Sequence, residues 1–444
     1  MTPTSPPRPA AALVSGWHFP SPAVAHLPNG LTIWSYHLPG QYVVAADLLV
    51  DVPLTAEPAA AEGVATIAAR GLDEGTPAHP GPAFAAALEA VGAQYSGWAM
   101  ASATLASLEV PAQWFEPGLA LFAEGVTAPE FADADVERLV ANRLAEIDQT
   151  RAAARRLAAW LIRETILAPG QRSARPVGGS RATVAAVDAA AVRAFHAAHY
   201  GPAGATLVIA GDLSGVDVAA AVERAFGAWA PAGPAVADEA PVAAAPRSRL
   251  VHRPGAVQAD IRLGWFGLDR SDPRWAAFQV ALTAMGGGFS SRLNQKLREE
   301  KGWTYDVSVG NRSFRHGGLT TLATATQTAN AAAVIEEARA ITSASTPFTA
   351  TEVSDAIGFL VGVAPLNFST ADAVAGHAGA LAAHGLPHEA ADQSLQALAA
   401  VTPDEATAAW AEVVATKTPN LVILGNADEL SGPLALDPEP IPEL

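Results

Sequence analysis

The sequence predicts an α+β protein made of two homologous domains of about 200 residues each, an ordinary domain size. Three observations support this prediction: the length of 444 residues, an internal repeat, and a proline-rich stretch between the two copies. A chain of this length exceeds one typical domain, so two or more are expected. Half of the residues are hydrophobic and many are alanine, which favours helices and allows large buried cores.

The internal repeat places a helix and then a buried strand near the end of each half. Residues 183–214 contain a helical pattern with Phe195 at its middle, a Gly-Pro break and the apolar run LVIAGD. Residues 397–430 follow the same order, with Trp410 in the helical pattern and LVILGN in the strand. A repeated order of elements is the signature of duplicated units. The two halves are therefore expected to share one fold.

The opening segments of the two halves also correspond. Residues 29–52 contain two β-rich runs around a Pro-Gly turn, and residues 249–268 do the same. Each half then shows a long helix, a strand pair and further alanine-rich helices. Between the halves, proline and alanine without periodicity indicate a linker. The predicted boundaries are a proline-rich extension over 1–22, a first domain over 23–229, a linker over 230–248 and a second domain over 249–444.

One stretch of the first half predicts an especially long helix. Residues 131–167 contain no proline and keep a helical composition up to Pro169, and Asp133 is a suitable N-cap. The sequence therefore predicts one continuous helix over 131–167.

Composition excludes several classes of function. The net charge of −17 argues against nucleic acid as the main partner. No uncharged apolar window reaches the length of about 18 residues that a membrane span needs. The first residues lack a basic segment followed by an apolar one, so no signal peptide is expected and a cytoplasmic location is predicted. The absence of cysteine excludes disulfides, thiol nucleophiles and cysteine-bound zinc.

The segment EGVATIAARGLDEGT, residues 62–76, predicts a helix after the opening strands. Together with the preceding NGL at 29–31, it resembles the start of the M16 family of metallopeptidases, which includes relatives of insulinase, pitrilysin and the mitochondrial processing peptidase. In that family the helix carries an inverted zinc motif, HxxEH. Two histidines share one helix face, and the glutamate between them activates the zinc-bound water.

This motif is degenerate in the present chain. Aligned on the glycine before the helix and the Gly-Thr after it, the motif positions hold Thr66, Ala69 and Arg70. A guanidinium stays protonated, so Arg70 cannot bind a metal and its charge repels Zn²⁺. The family's third ligand, a glutamate on a later helix, corresponds to Glu146. We expect no metal in this chain, and we predict that Glu146 pairs with Arg70.

The histidines of the chain offer no replacement for the lost motif. His196 and His199 are three residues apart, but no carboxylate lies within one helical turn of them. His384 and His388 flank a glycine and a proline, which are incompatible with a regular helix face. A packed helix end and a surface loop, respectively, are the predicted settings of these pairs.

The M16 resemblance is more specific at MGGGFSSRLNQKLREEKGWTYDVSVG, residues 285–310. Family members have a glycine-rich turn, then SSRL, then LRE, then Gly-x-x-Tyr leading into a strand. Here Gly286, Gly287 and Gly288 form the turn, where a substrate backbone is expected to approach closely. The helix is predicted to run to about Lys301 and to stop at Gly302. The strand after it alternates, with Trp303, Tyr305, Val307 and Val309 expected on one face.

Arg298 and Tyr305 match the arginine–tyrosine pair that the family places opposite the zinc ion. The resemblance implies that the tyrosine hydroxyl donates to the substrate carbonyl oxygen as it becomes negative, while the arginine holds the peptide backbone. Taken alone, Arg298 is typical of a solvated salt-bridging residue, and Tyr305 is typical of a core residue with its hydroxyl at the surface. The complete string at the family's spacing favours the functional interpretation.

The resemblance implies a clamshell of two mainly antiparallel sheets packed with helices. In one branch of the family two different subunits pair, one with HxxEH and one with the Arg–Tyr pair. The present chain resembles the second, so we predict a non-zinc subunit of a heterodimeric metallopeptidase that acts on peptides or unfolded segments. The HxxEH partner would supply zinc and the general base, and this chain itself would hold no cofactor. The alternatives are a non-catalytic scaffold, like the M16-derived core subunits of respiratory complexes, or a peptide-binding inhibitor or chaperone.

Overall fold

A computed structural model describes residues 16–344 and 346–444 of the chain. Most of the predicted proline-rich extension, residues 1–15, lies outside the described residues. The described part forms two six-stranded sheets, each covered by helices, so the predicted fold of two homologous α+β units is confirmed. None of the described helices is long and apolar enough to cross a membrane.

The first sheet takes all its strands from the first half of the chain. They are β1 (Ala23–His26), β2 (Thr32–His37), β3 (Val43–Val50), β4 (Gln94–Ala99), β5 (Thr104–Pro111) and β6 (Thr206–Gly211). Their order across the sheet is β1-β2-β6-β3-β5-β4. Only β2 and β6 pair in parallel, and every other neighbouring pair is antiparallel.

The second sheet repeats this arrangement in the second half. Its strands are β7 (Ser248–His252), β8 (Gln258–Gly267), β9 (Thr304–Ser313), β10 (Gly318–Gln327), β11 (Asn420–Gly425) and β12 (Pro438–Glu439). Their order is β12-β7-β11-β8-β10-β9. The apolar repeats form β6 and β11, which occupy equivalent places: each pairs in parallel with one strand and antiparallel with the next. The predicted internal repeat is therefore confirmed.

Helices surround the two sheets. In the first half they are α1 (Val64–Arg70), α2 (Pro82–Ala90), α3 (Phe115–Thr127), α4 (Asp133–Ala152), α5 (Ala154–Ile166), α6 (Arg181–Val184), α7 (Ala189–His199) and α8 (Val218–Phe226). In the second half they are α9 (Trp275–Leu282), α10 (Ala331–Ser343), α11 (Ala350–Gly362), α12 (Ala364–Asn367), α13 (Ala371–Ala383), α14 (Ala390–Ala399), α15 (Pro403–Trp410) and α16 (Ala427–Leu434). The described residues also contain three π-helical segments. Thr283–Gly287 follows α9, Asn294–Glu300 precedes β9, and Ala411–Ala415 follows α15.

The predicted continuous helix over 131–167 is wrong. The stretch is divided at Ala153, whose backbone is extended (φ −90°, ψ 108°). Asp133 is the first helical residue of α4, and Ala132 takes the N-cap position. The physical reason is the packing of α5, which leaves the first half and packs against β8 and β11 of the second sheet. The contact is close: a Cβ on Gly264 of β8 would lie 2.5 Å from Ile166 Cδ1.

A helix from the second half of the chain packs on the first sheet. Helix α13 packs against β3 and β6, where Val374, Ala375 and Ala378 join the core around Ala45 and Val208. Each sheet is thus completed by a helix from the opposite half of the chain. Because of this exchange, neither half has its whole core within its own stretch of sequence.

The last part of the predicted linker lies against the C-terminal end of α5. The Ala168 N–H donates to the Val242 carbonyl at 2.8 Å, and the Ala244 N–H donates to the Ile166 carbonyl at 2.7 Å. Residues 242–244 are therefore held against the end of α5 by backbone hydrogen bonds.

Candidate functional site

Tyr305 lies on a β-bulge at the start of β9. Thr304 pairs with Thr326 and Val307 pairs with Thr324, so Tyr305 and Asp306 together face Ala325. A bulge of this kind redirects a side chain and is common beside active sites. Tyr305 is 85% exposed, although Thr304 and Val307 are buried. The expectation that Tyr305 shares a face with Val307 is wrong, because the extra residue interrupts the alternation of the strand.

Buried threonine hydroxyls hold the bulge. The Thr324 hydroxyl donates to the Asp306 carbonyl at 2.9 Å. The Thr304 hydroxyl lies 2.8 Å from the Thr324 hydroxyl and 2.8 Å from the Ala325 carbonyl. These contacts satisfy carbonyls that the bulge removes from the regular ladder, where an unpaired buried carbonyl would be costly. Sequence reasoning missed these threonines, because a threonine in a strand is ordinary and nothing in the sequence marks a bulge.

Replacing Thr324 with valine is expected to lower the free energy of unfolding by about 1 kcal/mol, because the Asp306 carbonyl and the buried Thr304 hydroxyl each lose one of their hydrogen-bond partners. Urea denaturation of the purified chain measures the change. Thr324→Ser keeps the hydroxyl and is expected to remain close to the wild type. Thr321→Val, on the other face of β10, is the matched control. Equal losses for the two valine variants would contradict the role of the Thr324 hydroxyl.

Arg298 lies on the π-helical segment Asn294–Glu300 and contacts two aromatic rings. Its guanidinium carbon is 5.2 Å from the centroid of the Tyr305 ring and 4.8 Å from that of Phe289. Such cation–π contacts orient a guanidinium without occupying its N–H donors. The two residues of the predicted Arg–Tyr pair are therefore brought together. Phe289 was missed, although a large apolar residue directly after a glycine run is a usable signal.

The predicted helix end before this strand is confirmed. Gly302 has a left-handed backbone (φ +61°), and its N–H donates to the Arg298 carbonyl at 3.1 Å. A residue without Cβ adopts this conformation at little cost. The chain can therefore turn sharply from the π-helical segment into β9, which sets Tyr305 beside Arg298.

The three glycines before Phe289 differ in their surroundings. Gly286 is buried, and a Cβ there would lie 3.0 Å from the backbone nitrogen of Val309. Gly287 is exposed and Gly288 is half-buried, and a Cβ on either would meet its neighbours at ordinary distances. Gly286 therefore allows the π-helical segment Thr283–Gly287 to pack on β9. Substrate contact by the three glycines stays a prediction.

A cavity of about 370 Å³ lies beside Tyr305 on the second sheet. The exchanged helix α5 contributes Arg155 to its wall, 3.5 Å from the Asp306 carboxylate. A second pair, Arg262 and Asp260, lies in the same wall with its charged atoms 3.3 Å apart. The surroundings of Tyr305 are therefore polar, with charges of both signs.

The degenerate motif positions lie on α1, where Thr66 and Ala69 are buried. The predicted pairing is confirmed: Arg70 Nη1 is 2.8 Å from Glu146 Oε1. Arg143 Nη1 lies 3.1 Å from the other carboxylate oxygen. Burial alone would raise the pKa of Glu146, but the two guanidiniums outweigh it and hold the pKa below its ordinary value.

These residues do not fit a zinc ion. A hydroxyl, a methyl group and a guanidinium stand at the motif positions, and both oxygens of Glu146 face arginines. Across residues 16–344 and 346–444, no group of three or more His, Asp or Glu side chains is placed to hold a metal. His196, predicted as a packed helix residue, lies with Nε2 2.8 Å from the Val126 carbonyl, and burial lowers its pKa.

Replacing Arg70 with alanine is expected to reduce the free energy of unfolding by about 1 kcal/mol or less at pH 7, because both partners are partly exposed. The lowered pKa of Glu146 means that its contribution is present above its ordinary pKa and is lost as the pH falls through the folded value. A double-mutant cycle with Glu146→Gln measures the interaction. If Arg70→Ala costs the same in the Glu146→Gln background, the pair contributes nothing.

Family models match most of the chain. The model described as insulinase (peptidase family M16) matches residues 32–171, and the model described as the peptidase M16 inactive domain matches residues 186–357. An uncharacterized zinc protease of Mycobacterium tuberculosis strain H37Rv is 30% identical over 327 residues, which cover 71% of this chain and 70% of that protein. The chain therefore belongs to the M16 family of peptidases.

One further relative and two solved structures are also similar to this chain. An uncharacterized zinc protease of Streptomyces coelicolor is 31% identical over 263 residues, and the match spans 56% of each protein. A solved structure described as the peptidase M16 inactive domain from Pseudomonas fluorescens superposes with a TM-score of 0.85 at 23% identity, covering 91% of this chain and 98% of that chain. A protease from Helicobacter pylori superposes with a TM-score of 0.81 at 15% identity, covering 92% and 100%. These two structures share the fold.

Proposed function

We propose that this chain is the non-zinc subunit of a two-chain M16 zinc metallopeptidase. The observation that carries the proposal is the Arg298–Tyr305 pair, which is open to ligands on the bulge of β9. In the other half of the same chain, the metal position holds the Arg70–Glu146 salt bridge. A chain that retains one set of functional groups and has lost the other needs a partner with the complementary set.

In this proposal each residue of the pair has one role. The Tyr305 hydroxyl donates a hydrogen bond to the substrate carbonyl oxygen as negative charge develops on it. The Arg298 guanidinium is oriented by the rings of Phe289 and Tyr305, and its Nε lies 3.4 Å from Glu299 Oε1. Its terminal N–H groups would bind the carbonyl groups of the peptide backbone. An M16 subunit with an intact HxxEH motif would hold the zinc ion and the general base. Names of relatives such as "zinc protease" support the reaction class.

The proposed substrates are peptides or unfolded segments. Both β4 and β9 are edge strands, so each has backbone N–H and C=O groups available for a further strand. An extended peptide can pair with such an edge. A peptide added along β9 would pass Tyr305, which lies on the same strand.

The test is co-expression of this chain with an HxxEH-bearing M16 relative encoded nearby, followed by an assay with a quenched fluorescent peptide. Cleavage by the pair, with neither chain active alone, is the expected result. The control replaces the HxxEH glutamate of the partner with glutamine, which is expected to abolish cleavage. A preparation of this chain alone that binds stoichiometric zinc and cleaves peptides would overturn the proposal.

The second candidate function is a non-catalytic scaffold or peptide-binding protein. It is favoured by the filled metal position on α1 and by the description of the Pseudomonas fluorescens structure as an inactive domain. The two candidates differ in one measurable property. A scaffold or binding protein would leave the activity of its partner unaffected by changes at Arg298 and Tyr305.

A further inference from the structure

A second cavity, of about 290 Å³, lies where the two halves of the chain meet. One wall comes from Trp98, at the end of β4, and the turn after it. The opposite wall comes from Arg312 at the end of β9 and Arg315 in the following turn, and α5 contributes Arg163. We call this cavity the arginine pocket. It is separate from the cavity beside Tyr305, which has a different set of lining residues.

The arginine pocket is basic. Among its lining residues there are three arginines and no aspartate or glutamate. Arg315 is neutralised by two carboxylates outside the lining: its Nη2 lies 2.7 Å from Asp51 Oδ1, and its Nε lies 3.8 Å from Asp238 Oδ2. Arg312 forms no salt bridge within residues 16–344 and 346–444. In a chain with a net charge of −17, a cavity with uncompensated cations is unusual.

Arg163 places a buried guanidinium beside the pocket, with its carbon 5.4 Å from the centroid of the Phe314 ring. Its Nε donates to the Ser173 carbonyl at 2.6 Å, but its buried Nη2 has no hydrogen-bond partner among the described residues. Burial lowers the pKa of Arg163 to about 10, together with the charges of Arg312 and Arg172 and against the opposing charge of Glu239. A buried guanidinium N–H without an acceptor is costly. A carboxylate is the natural acceptor, because its two oxygens match the fork of a guanidinium.

The distance between the pocket and Tyr305 sets the length of a peptide that reaches both. Arg312 and Tyr305 lie on the same strand, seven residues apart. At about 3.3 Å per residue, the two positions are separated by roughly 23 Å, and slightly less because of the bulge. An extended peptide alongside β9 covers this distance with about seven residues.

We propose that the arginine pocket binds a carboxylate of the peptide substrate, about seven residues from the bond held at Tyr305. This inference rests on the proposed function, since it takes the ligand to be the peptide that is cleaved. The carboxylate is either the C-terminal group of a short peptide or the side chain of an aspartate or glutamate. In both cases the pocket favours substrates in which a carboxylate lies at this distance from the cleaved bond.

The experiment uses the assembled pair and a series of quenched peptides in which one carboxylate is moved or removed. One arm compares a C-terminal acid with the corresponding amide, and the other compares an internal glutamate with glutamine, shifted one residue at a time. The expected result is a KM about tenfold lower for the peptide with a carboxylate about seven residues from the cleaved bond, with kcat changed less than twofold. The arm that shows the effect identifies the source of the carboxylate.

Substitutions assign the effect to the pocket. Arg312→Gln is expected to abolish the preference for the carboxylate, and Arg163→Gln is expected to weaken it provided that the variant folds. Arg156→Gln is the matched control, because Arg156 is an exposed arginine on α5 outside the lining of the pocket. A carboxylate preference that survives in Arg312→Gln would overturn the proposal.

A binding measurement separates this inference from the proposed function. Fluorescence anisotropy of labelled acid and amide peptides, titrated with this chain alone at constant salt, detects the pocket without catalysis. Cleavage by the pair with equal KM for all peptides would overturn the pocket and leave the proposed function standing. Absence of cleavage, together with binding of the acid peptide that depends on Arg312, would overturn the proposed function and support the anion site.

Discussion

Replacing Tyr305 with phenylalanine is expected to lower kcat of the assembled peptidase by about 10²–10³-fold, with little change in KM, because one oxyanion donor is lost. The substitution removes only the hydroxyl. The ring that contacts the Arg298 guanidinium at 5.2 Å is kept, and a side chain that is 85% exposed contributes little to folding. Steady-state kinetics of the pair with a quenched peptide measures the effect.

A matched control is available in the same chain. Tyr42 is also exposed (77%), and it lies in the first half, next to β3. Tyr42→Phe is expected to leave kcat and KM unchanged. If the Tyr305→Phe pair cleaves as fast as the wild type, the hydroxyl does not stabilise the oxyanion. That result would favour the scaffold or peptide-binding alternative.

Replacing Asp47 with asparagine is expected to stabilise the folded chain by about 2–3 kcal/mol at pH 8. Asp47 lies on β3, is only 3% exposed, and is covered by the exchanged helix α13. Its pKa is raised to about 6, mainly by burial. A hydrogen bond from Ser107 opposes the shift, and the charges of Asp372 and Glu109 contribute to it. A buried carboxylate whose charged neighbours are acidic destabilises the fold when it ionises.

The pH dependence follows from the direction of this shift. The ordinary pKa of an aspartate in an unfolded chain is about 3.9. Between roughly pH 4 and pH 6 the folded state binds more protons, so the stability of the wild type falls as the pH rises through this range. An asparagine cannot titrate. The gain from Asp47→Asn is therefore expected to be complete above about pH 6 and to disappear near pH 4.

Urea denaturation of both proteins at pH 4 and pH 8 measures this difference. Asp437→Asn is the matched control, because Asp437 is exposed, and it is expected to change the free energy of unfolding at neither pH. A difference between wild type and Asp47→Asn that does not vary with pH would show that ionisation of Asp47 is not the cause.

Much of the fold could be predicted because its signals are local. The runs LVIAG and LVILG are continuously apolar, as expected of central strands covered on both faces, and they became β6 and β11. The pairing of Arg298 with Tyr305 was predictable from the resemblance of residues 285–310 to the M16 family, which places an arginine and a tyrosine at this spacing. The pairing of Arg70 with Glu146 followed from the chemistry of a degenerate motif, in which an orphan carboxylate faces a guanidinium.

The exchange of α5 and α13 could not be predicted in the same way. An apolar helix face can be buried against either sheet, so the pattern of Leu161 and Ile162 does not identify β8 and β11 as its partners. The break at Ala153 shows the same difficulty, because alanine strongly favours helix and only the direction of α5 requires an extended residue there.

By itself, the sequence determined the two homologous α+β units, the loss of the zinc motif and the candidate pair of Arg298 and Tyr305. Tertiary structure alone decided the bulge that exposes Tyr305, the helix exchange, and the arginine pocket, whose residues are far apart in the chain. The physical reason is the range of the interactions. Helix ends, apolar runs and motif spacing depend on neighbours in sequence, whereas strand register and the partners of a helix depend on contacts between distant segments.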